Sequence, residues 1–270
     1  MLICARPQMM SLRYSMDEII PMFREAGFDG FEFCLEDKLF HVRPDMLEDY
    51  SVSHVAGLAE ENGLRISAVG CHVNFVSDDN VYAVVRKAVE KTRRFGTDIF
   101  IATSGQRSGT GGDTSGYDEM KLRLAELVRI ASACGVRIAL EPEPGHWIDT
   151  TASFLDLAGE FDDPPALCCN FDIGHSHLLD PDIGGSIRLL GDRIIHGHIE
   201  NIAGGVHRHL VPWEGEIDLP EVLQDLSSIR FAGPLAFDFY SESYPEVMPH
   251  VARYLKGILP AGQSGGMCRM

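Results

Sequence analysis

Four histidines, His196, His198, His207 and His209, fall within fourteen residues that begin as an apolar run, Ile194-Ile-His-Gly-His-Ile199, and continue into a glycine-rich stretch. A neutral imidazole offers a lone pair without adding charge, so histidine at a strand end is a natural metal ligand. Carboxylates sit in other apolar runs in the same way. Glu141 closes Arg137-Ile-Ala-Leu-Glu141, Asp172 closes Leu167-Cys-Cys-Asn-Phe-Asp172, and Asp238 lies near the end of Leu235-Ala-Phe-Asp-Phe239. Each has a structural alternative. Glu141 could cap a helix, Asp172 could N-cap the segment after it, His198 could be a hydrogen-bonded core histidine, and Asp238 could pair with an arginine. Four such groups on successive strands are costly to bury together unless a cation neutralises them.

The elements that must carry them follow from an alternation of short apolar runs with stretches of helical periodicity, the mark of βα units around a parallel sheet. Eight runs are expected as strands: 2–5, 30–34, 64–70, 98–102, 137–141, 167–172, 194–199 and 235–239. Helices are expected over 16–26 with Ser15 as N-cap, 44–62, 79–95, 117–134, 151–161, 181–190, 219–228 and 244–259. Eight strands each followed by a helix predict a single-domain (β/α)8 barrel over residues 1–259, with 260–270 as a flexible C-terminal tail. Chemistry in such a barrel gathers at the C-terminal ends of the strands, where Glu141, Asp172, His198 and Asp238 fall. The glycine-rich segment Thr103–Gly116 matches no phosphate-binding loop and is expected to be a lid over the barrel mouth.

The chain of 270 residues carries 23 basic and 40 acidic residues, a formal net charge of −17, which repels nucleic acid and anionic lipid. Seven cysteines form no C-x-x-C pair and most lie in apolar runs, as small hydrophobes in a reducing cytoplasm would. No run approaches the ~18 apolar residues of a membrane span, and the opening Met-Leu-Ile-Cys-Ala has neither a basic n-region nor a long apolar run, so a soluble, cytoplasmic protein is expected. The expected partner is a small molecule, with neither nucleic acid nor membrane; homo-oligomerisation is left open.

Several motifs together resemble the xylose isomerase-like TIM barrel superfamily, which includes sugar-phosphate isomerases, ketose 3-epimerases, inosose dehydratases and endonuclease IV. They are Gly27-Phe-Asp-Gly-Phe-Glu32, Ala139-Leu-Glu-Pro-Glu-Pro-Gly145, Asn170-Phe-Asp-Ile-Gly-His-Ser-His177, His196-Gly-His-Ile-Glu-Asn201, Gly205-Val-His-Arg-His-Leu210, Glu214-Gly-Glu-Ile-Asp218 and Gly233-Pro-Leu-Ala-Phe-Asp238. The resemblance implies Glu141, Asp172, His198 and Asp238 as metal ligands and His175 as a substrate-binding or second-metal histidine. Asp238 stands where the epimerases usually have Glu, and Trp147 stands near the place of a further epimerase Glu. His207-Arg208-His209 is similar to the Asp-Arg-His of endonuclease IV, whose outer residues bind an additional zinc. His72 matches another histidine of that zinc cluster, whereas Thr103 and Ser104 stand where the next would be.

The expected activity is a divalent-metal-dependent isomerase or epimerase of a sugar, keto-sugar or cyclitol, with Glu141 and Asp238 as the acid–base pair working through an enediolate. Three carboxylates and one imidazole form a hard set that favours Mn²⁺, with Mg²⁺, Co²⁺ or Zn²⁺ as alternatives. His175, His207 and His209 are assigned to a second metal or to substrate, and Glu32, His72, Arg208 and Trp147 to substrate. The alternatives are an endonuclease IV-like multi-zinc phosphoesterase, a keto-sugar or inosose dehydratase, and a non-catalytic sugar-binding barrel.

Overall fold

The computed structural model describes residues 1–76, 78–107 and 115–262. Eight parallel strands close into a barrel: β1 (Leu2–Ala5), β2 (Gly30–Cys34), β3 (Arg65–Cys71), β4 (Ile99–Thr103), β5 (Arg137–Glu141), β6 (Leu167–Asp172), β7 (Ile194–Ile199) and, after a hairpin formed by β8 (Asn201–Ala203) and β9 (Val206–Leu210), the last barrel strand β10 (Pro234–Phe237). The order around the barrel is β1-β10-β7-β6-β5-β4-β3-β2. The chain is therefore a single (β/α)8 TIM-barrel domain. The helices are α1 (Met16–Ala26), α2 (Asp49–Glu61), α3 (Asp79–Lys91), α4 (Ser115–Cys134), α5 (Thr151–Glu160), α6 (Ile173–Leu179), α7 (Ile183–Leu190), α8 (Leu219–Ser228) and α9 (Tyr244–Gly257).

Barrel strands face helices on one side and the barrel interior on the other, so they are buried almost throughout, as their unbroken apolar runs require. The larger core lies between strands and helices, where Phe23, Phe28, Phe31 and Tyr244 pack at ring separations of 6.0–6.5 Å. In α1 the buried residues Ile19, Ile20, Phe23 and Ala26 make one stripe, and Gly27, at φ 92°, ends the helix in the left-handed region that glycine tolerates best. Ala68, Ile99, Ile101 and Ala139 form a second, smaller cluster. Ala139 and Glu141 share one face of β5 by the two-residue repeat of a strand, so this apolar layer lies under the rim that carries the site.

All eight expected strands are present, within two residues at either end. The differences lie elsewhere. The stretch expected as one helix over 44–62 is a 3₁₀ turn (Pro44–Leu47) followed by α2, because Glu48 is extended, at ψ 147°. The last turn expected for the third helix is likewise 3₁₀, over Thr92–Phe95. The short α6 was not expected; it starts directly from β6, where the Asp172 carboxylate accepts a 2.7 Å hydrogen bond from the backbone N–H of His175. Nor was the β8–β9 hairpin, whose turn uses Gly204 and Gly205 at φ 65° and 63°. Residues 108–114 of the expected lid and 263–270 of the expected tail lie outside the described residues. No helix among those described is long and apolar enough to cross a membrane.

Candidate active site

Three successive strands, β5, β6 and β7, deliver Glu141, Asp172 and His198 to one point, with ligand-capable atoms within 4.8 Å of one another and all three residues buried. His198 Nδ1 lies 3.2 Å from Glu141 Oε1 and 3.6 Å from Asp172 Oδ2. Its other nitrogen, Nε2, faces Glu32 Oε2 at 2.7 Å. A carboxylate behind the imidazole fixes the ring and leaves Nδ1 turned toward Glu141 and Asp172. Asp172 divides its oxygens. Oδ1 caps α6, while Oδ2 is buried without a hydrogen-bond partner among the described residues. Burial works against ionisation of Glu141, yet the His198 and His72 imidazoles hold its carboxyl well below the usual range. Asn170 donates to Glu141 Oε2 at 2.8 Å and accepts from His196 Nδ1 at 2.8 Å. His196 lies below His198 on the same strand face, bonded on its other side to Ser67 at 3.1 Å, and burial lowers its pKa to about 3.

Asp238, expected as the fourth ligand, is engaged differently. Its Oδ1 lies 2.5 Å from Nη1 of Arg6, the residue that follows β1, and its Oδ2 stands 3.9 Å from His198 Nδ1 and 3.7 Å from His209 Nδ1. Arg6, only 2% exposed, also reaches Glu32 at 3.4 Å and His72 at 3.2 Å. His72 is held by Glu36 at Nδ1 (2.9 Å) and points Nε2 at Glu141 (3.1 Å), while Gln8 supports Glu36 at 3.2 Å.

The hairpin supplies the third group. His207 and His209 from β9 meet His175 from α6, again with ligand-capable atoms within 4.8 Å of one another. The Pro142 carbonyl accepts a hydrogen bond from His175 Nδ1 at 3.0 Å, and Nε2 faces His207 Nε2 at 3.0 Å and Glu143 Oε1 at 3.6 Å. Burial pushes the Glu143 carboxyl up to about 7 and the His207 imidazole down to about 4. Beneath the hairpin, Glu200 is fully buried and neither of its oxygens has a hydrogen-bond partner among the described residues; burial pushes its carboxyl far up. A Cβ at Gly174 would stand 1.9 Å from Glu200 Oε1, so the glycine of Asp172-Ile-Gly-His175 makes room for that carboxyl.

A cavity of about 590 Å³ opens at the C-terminal ends of the strands. Glu141, Asp238, His175, His207, His209, His72 and Arg208 line it, whereas Asp172 and His198, expected as metal ligands, are buried and are not part of its lining. Two of the residues assigned to substrate do not line it either. Glu32 is sealed behind His198 and Arg6, because its carboxylate is consumed by their charges. Trp147 packs against Tyr117 at 5.8 Å, because its backbone N–H is tied to Gly105 O; its neighbour His146 takes the cavity wall instead. Sequence reasoning missed Arg6, Glu36, Glu143, His146, Glu200 and Tyr240. Arg6 and Tyr240 were within reach of the rule that found the others: one directly follows the first apolar run, the other lies two residues beyond Asp238.

An uncharacterized protein of Methanocaldococcus jannaschii is 32% identical over 120 residues, 43% of this chain and 41% of that protein's own length. A 3-dehydroshikimate dehydratase of Bacillus anthracis is 22% identical over 237 residues, 78% of this chain and 81% of that one. Among solved structures, a probable 3-dehydroshikimate dehydratase from Bacillus anthracis superposes with a TM-score of 0.79 at 18% identity, covering 94% of this chain and 98% of that one. A D-allulose 3-epimerase from Methylomonas sp. in complex with D-allulose gives 0.77 at 18% identity, covering 95% and 96%. At such identities the likeness is one of fold. The profile of one family spans nearly the whole barrel, from residue 22 to residue 258, and with it the motifs that supply the rim. The chain belongs to the xylose isomerase-like TIM barrel family.

Proposed function

We propose that this protein is a divalent-metal-dependent isomerase or epimerase acting on a sugar, keto-sugar or cyclitol. The observation that carries the reading is the convergence of Glu141, Asp172 and His198, of which Glu141 lines the cavity. The residues fit a cation on physical grounds. Asp172 Oδ2 is buried without a partner among the described residues, His198 turns Nδ1 to the same point, and the donor set of oxygens and one imidazole suits Mn²⁺, Mg²⁺, Co²⁺ or Zn²⁺. A bound divalent ion polarises a carbonyl and stabilises the negative charge that builds up when a proton leaves the adjacent carbon.

The chain's own groups do the rest. Glu32 and Asn170 hold His198 and Glu141 in place. Glu141 and Asp238 stand on different sides of the rim, on β5 and just beyond β10, so one can take a proton from a substrate carbon and the other return it. Arg6 fixes Asp238 through Oδ1 and leaves Oδ2 toward the cavity side, as fourth ligand or as base. Return to the opposite face gives epimerisation, return to the neighbouring carbon gives isomerisation, and loss of a β-hydroxyl gives dehydration. The net charge of −17 weighs against a DNA substrate.

Solvent exchange tests the reading. Metal-loaded protein in D₂O should incorporate deuterium beside the carbonyl of at least one member of a panel of ketoses and inososes, and Glu141→Gln should stop it; no exchange with any member overturns the proposal. The trio His175, His207 and His209 favours one second reading, a multi-zinc phosphoesterase. Two or three zinc ions per chain with cleavage of an abasic-site duplex would establish it, and one ion without cleavage would remove it.

A further inference from the structure

The turn between β2 and α2 holds a conformational outlier. Phe40 has φ 61°, where a bulky L residue is rarely found, and such strain tends to gather at ligand sites. Hydrogen bonds keep it there: Asp37 Oδ1 accepts from Leu39 N at 2.8 Å and His41 N at 3.2 Å, and Phe40 N donates to Asp37 O at 2.8 Å. The other non-glycine residues with positive φ among those described, Asp162, Asp163 and Arg230, do not line the cavity, whereas Phe40 does. The turn bends past the end of β1 to the loop after β10. Lys38 reaches Glu242 at 3.6 Å, and the Phe40 ring stacks on Tyr240 with centroids 6.2 Å apart and planes 23° from parallel. Phe40 is still 47% exposed, and Tyr240 continues the wall to His209 at 4.7 Å.

In the closed strand order β5 stands opposite β1, so this aromatic wall faces Glu141 and His146 across the mouth. The cavity thus has carboxylate and imidazole on both sides, and on one of them the rings of Phe40 and Tyr240 stand beside Arg6, Asp238 and His209. A polyhydroxy ketone matches such a wall, because its oxygens suit the polar groups and its C–H groups the ring faces. We propose that Phe40 and Tyr240 form the platform that receives the C–H face of a polyhydroxy-ketone substrate, with Phe40 as the specificity-determining contact. The inference rests on the isomerase or epimerase reading of the same cavity.

Phe40→Gly is the variant of choice, since glycine accepts φ 61° without strain while the whole aromatic side chain is removed. Saturation-transfer NMR on Mg²⁺-loaded protein with D-allulose, D-tagatose and D-fructose reads both affinity and contact. For the sugar that binds, Phe40→Gly should keep or raise Tm, weaken Kd about tenfold, and lose transfer from aromatic protons to the sugar C–H protons. Phe40→Tyr should restore both readouts, and Leu39→Ala should change neither. Sugar binding that is equally tight in Phe40→Gly, or an effect confined to oligomeric mass, overturns the platform and leaves the proposed function intact. Failure of the wild-type protein to bind any polyhydroxy ketone overturns both.

Discussion

The rim of the barrel has two halves that neutralise their carboxylates by different means. On the β5–β6–β7 side, Glu141, Asp172 and His198 converge and Asp172 keeps one oxygen without a hydrogen-bond partner among the described residues. On the β10–β1–β2 side, Asp238 and Glu32 share the buried guanidinium of Arg6. One half leaves a carboxylate oxygen without a counter-charge; the other contains its own cation. A charge pattern that looks uniform around the strand ends therefore divides into a proposed binding half and a self-compensated half.

Four measurements would break or sharpen this division. The largest effect is expected on the self-compensated half, where Arg6→Met leaves buried Asp238 without its cation and Glu32 with His198 as its remaining partner, and should cost about 3–5 kcal/mol of stability in urea unfolding; an unchanged midpoint would mean that the pairing carries no weight. Next come the ligands. Asp172→Ala and His198→Ala should each weaken metal binding about a hundredfold or more by calorimetry, while Cys71→Ser should not; both ligand variants retaining tight binding would refute the site. Asp238→Asn should weaken it less than either, and an equal loss would return Asp238 to the binding half.

A smaller effect, about tenfold in metal affinity, is expected for Glu32→Gln, because the carboxylate behind His198 orients its ring. The smallest concerns pH. Burial lowers the pKa of His146 to about 4 from 6.5, so the unfolded chain binds the proton first as pH falls. Stability from this group is present above pH ~6.5 and drains away toward pH ~4, by at most ~1.4 kcal/mol per pH unit. His146→Asn should flatten that part of the pH profile; an unaltered slope would assign the loss to other groups.

The barrel was legible because its signal is repeated: each apolar run is short, buried on both faces and followed by an amphipathic stretch. The candidate cluster was legible where a polar residue ends or interrupts such a run, as Glu141, Asp172 and His198 do. Partnerships were not legible, since they join residues far apart in the chain. Nothing in the spacing joins Arg6 to Asp238, or Glu36 to His72, and Glu32 read as a substrate residue only because its partners were unseen. The hairpin was hidden for a local reason: Gly204-Gly205 reads as loop until Val206 pairs with Ala203. Asp172 and Asp238 each commit one oxygen to a cap or an arginine and turn the second elsewhere, so a structural contact does not use up either carboxylate.

The hairpin's two strands pair with each other and with no barrel strand, and its base is stitched by Asn201, whose side chain bonds Pro212 O, Ile217 O and Ile217 N. The buried Asn201 and Ile202 hold the hairpin to the core, while the strand that carries His207 and His209 lies outside the ladder that closes the barrel. The two imidazoles are thus set by a two-stranded unit, not by the barrel's own strand register.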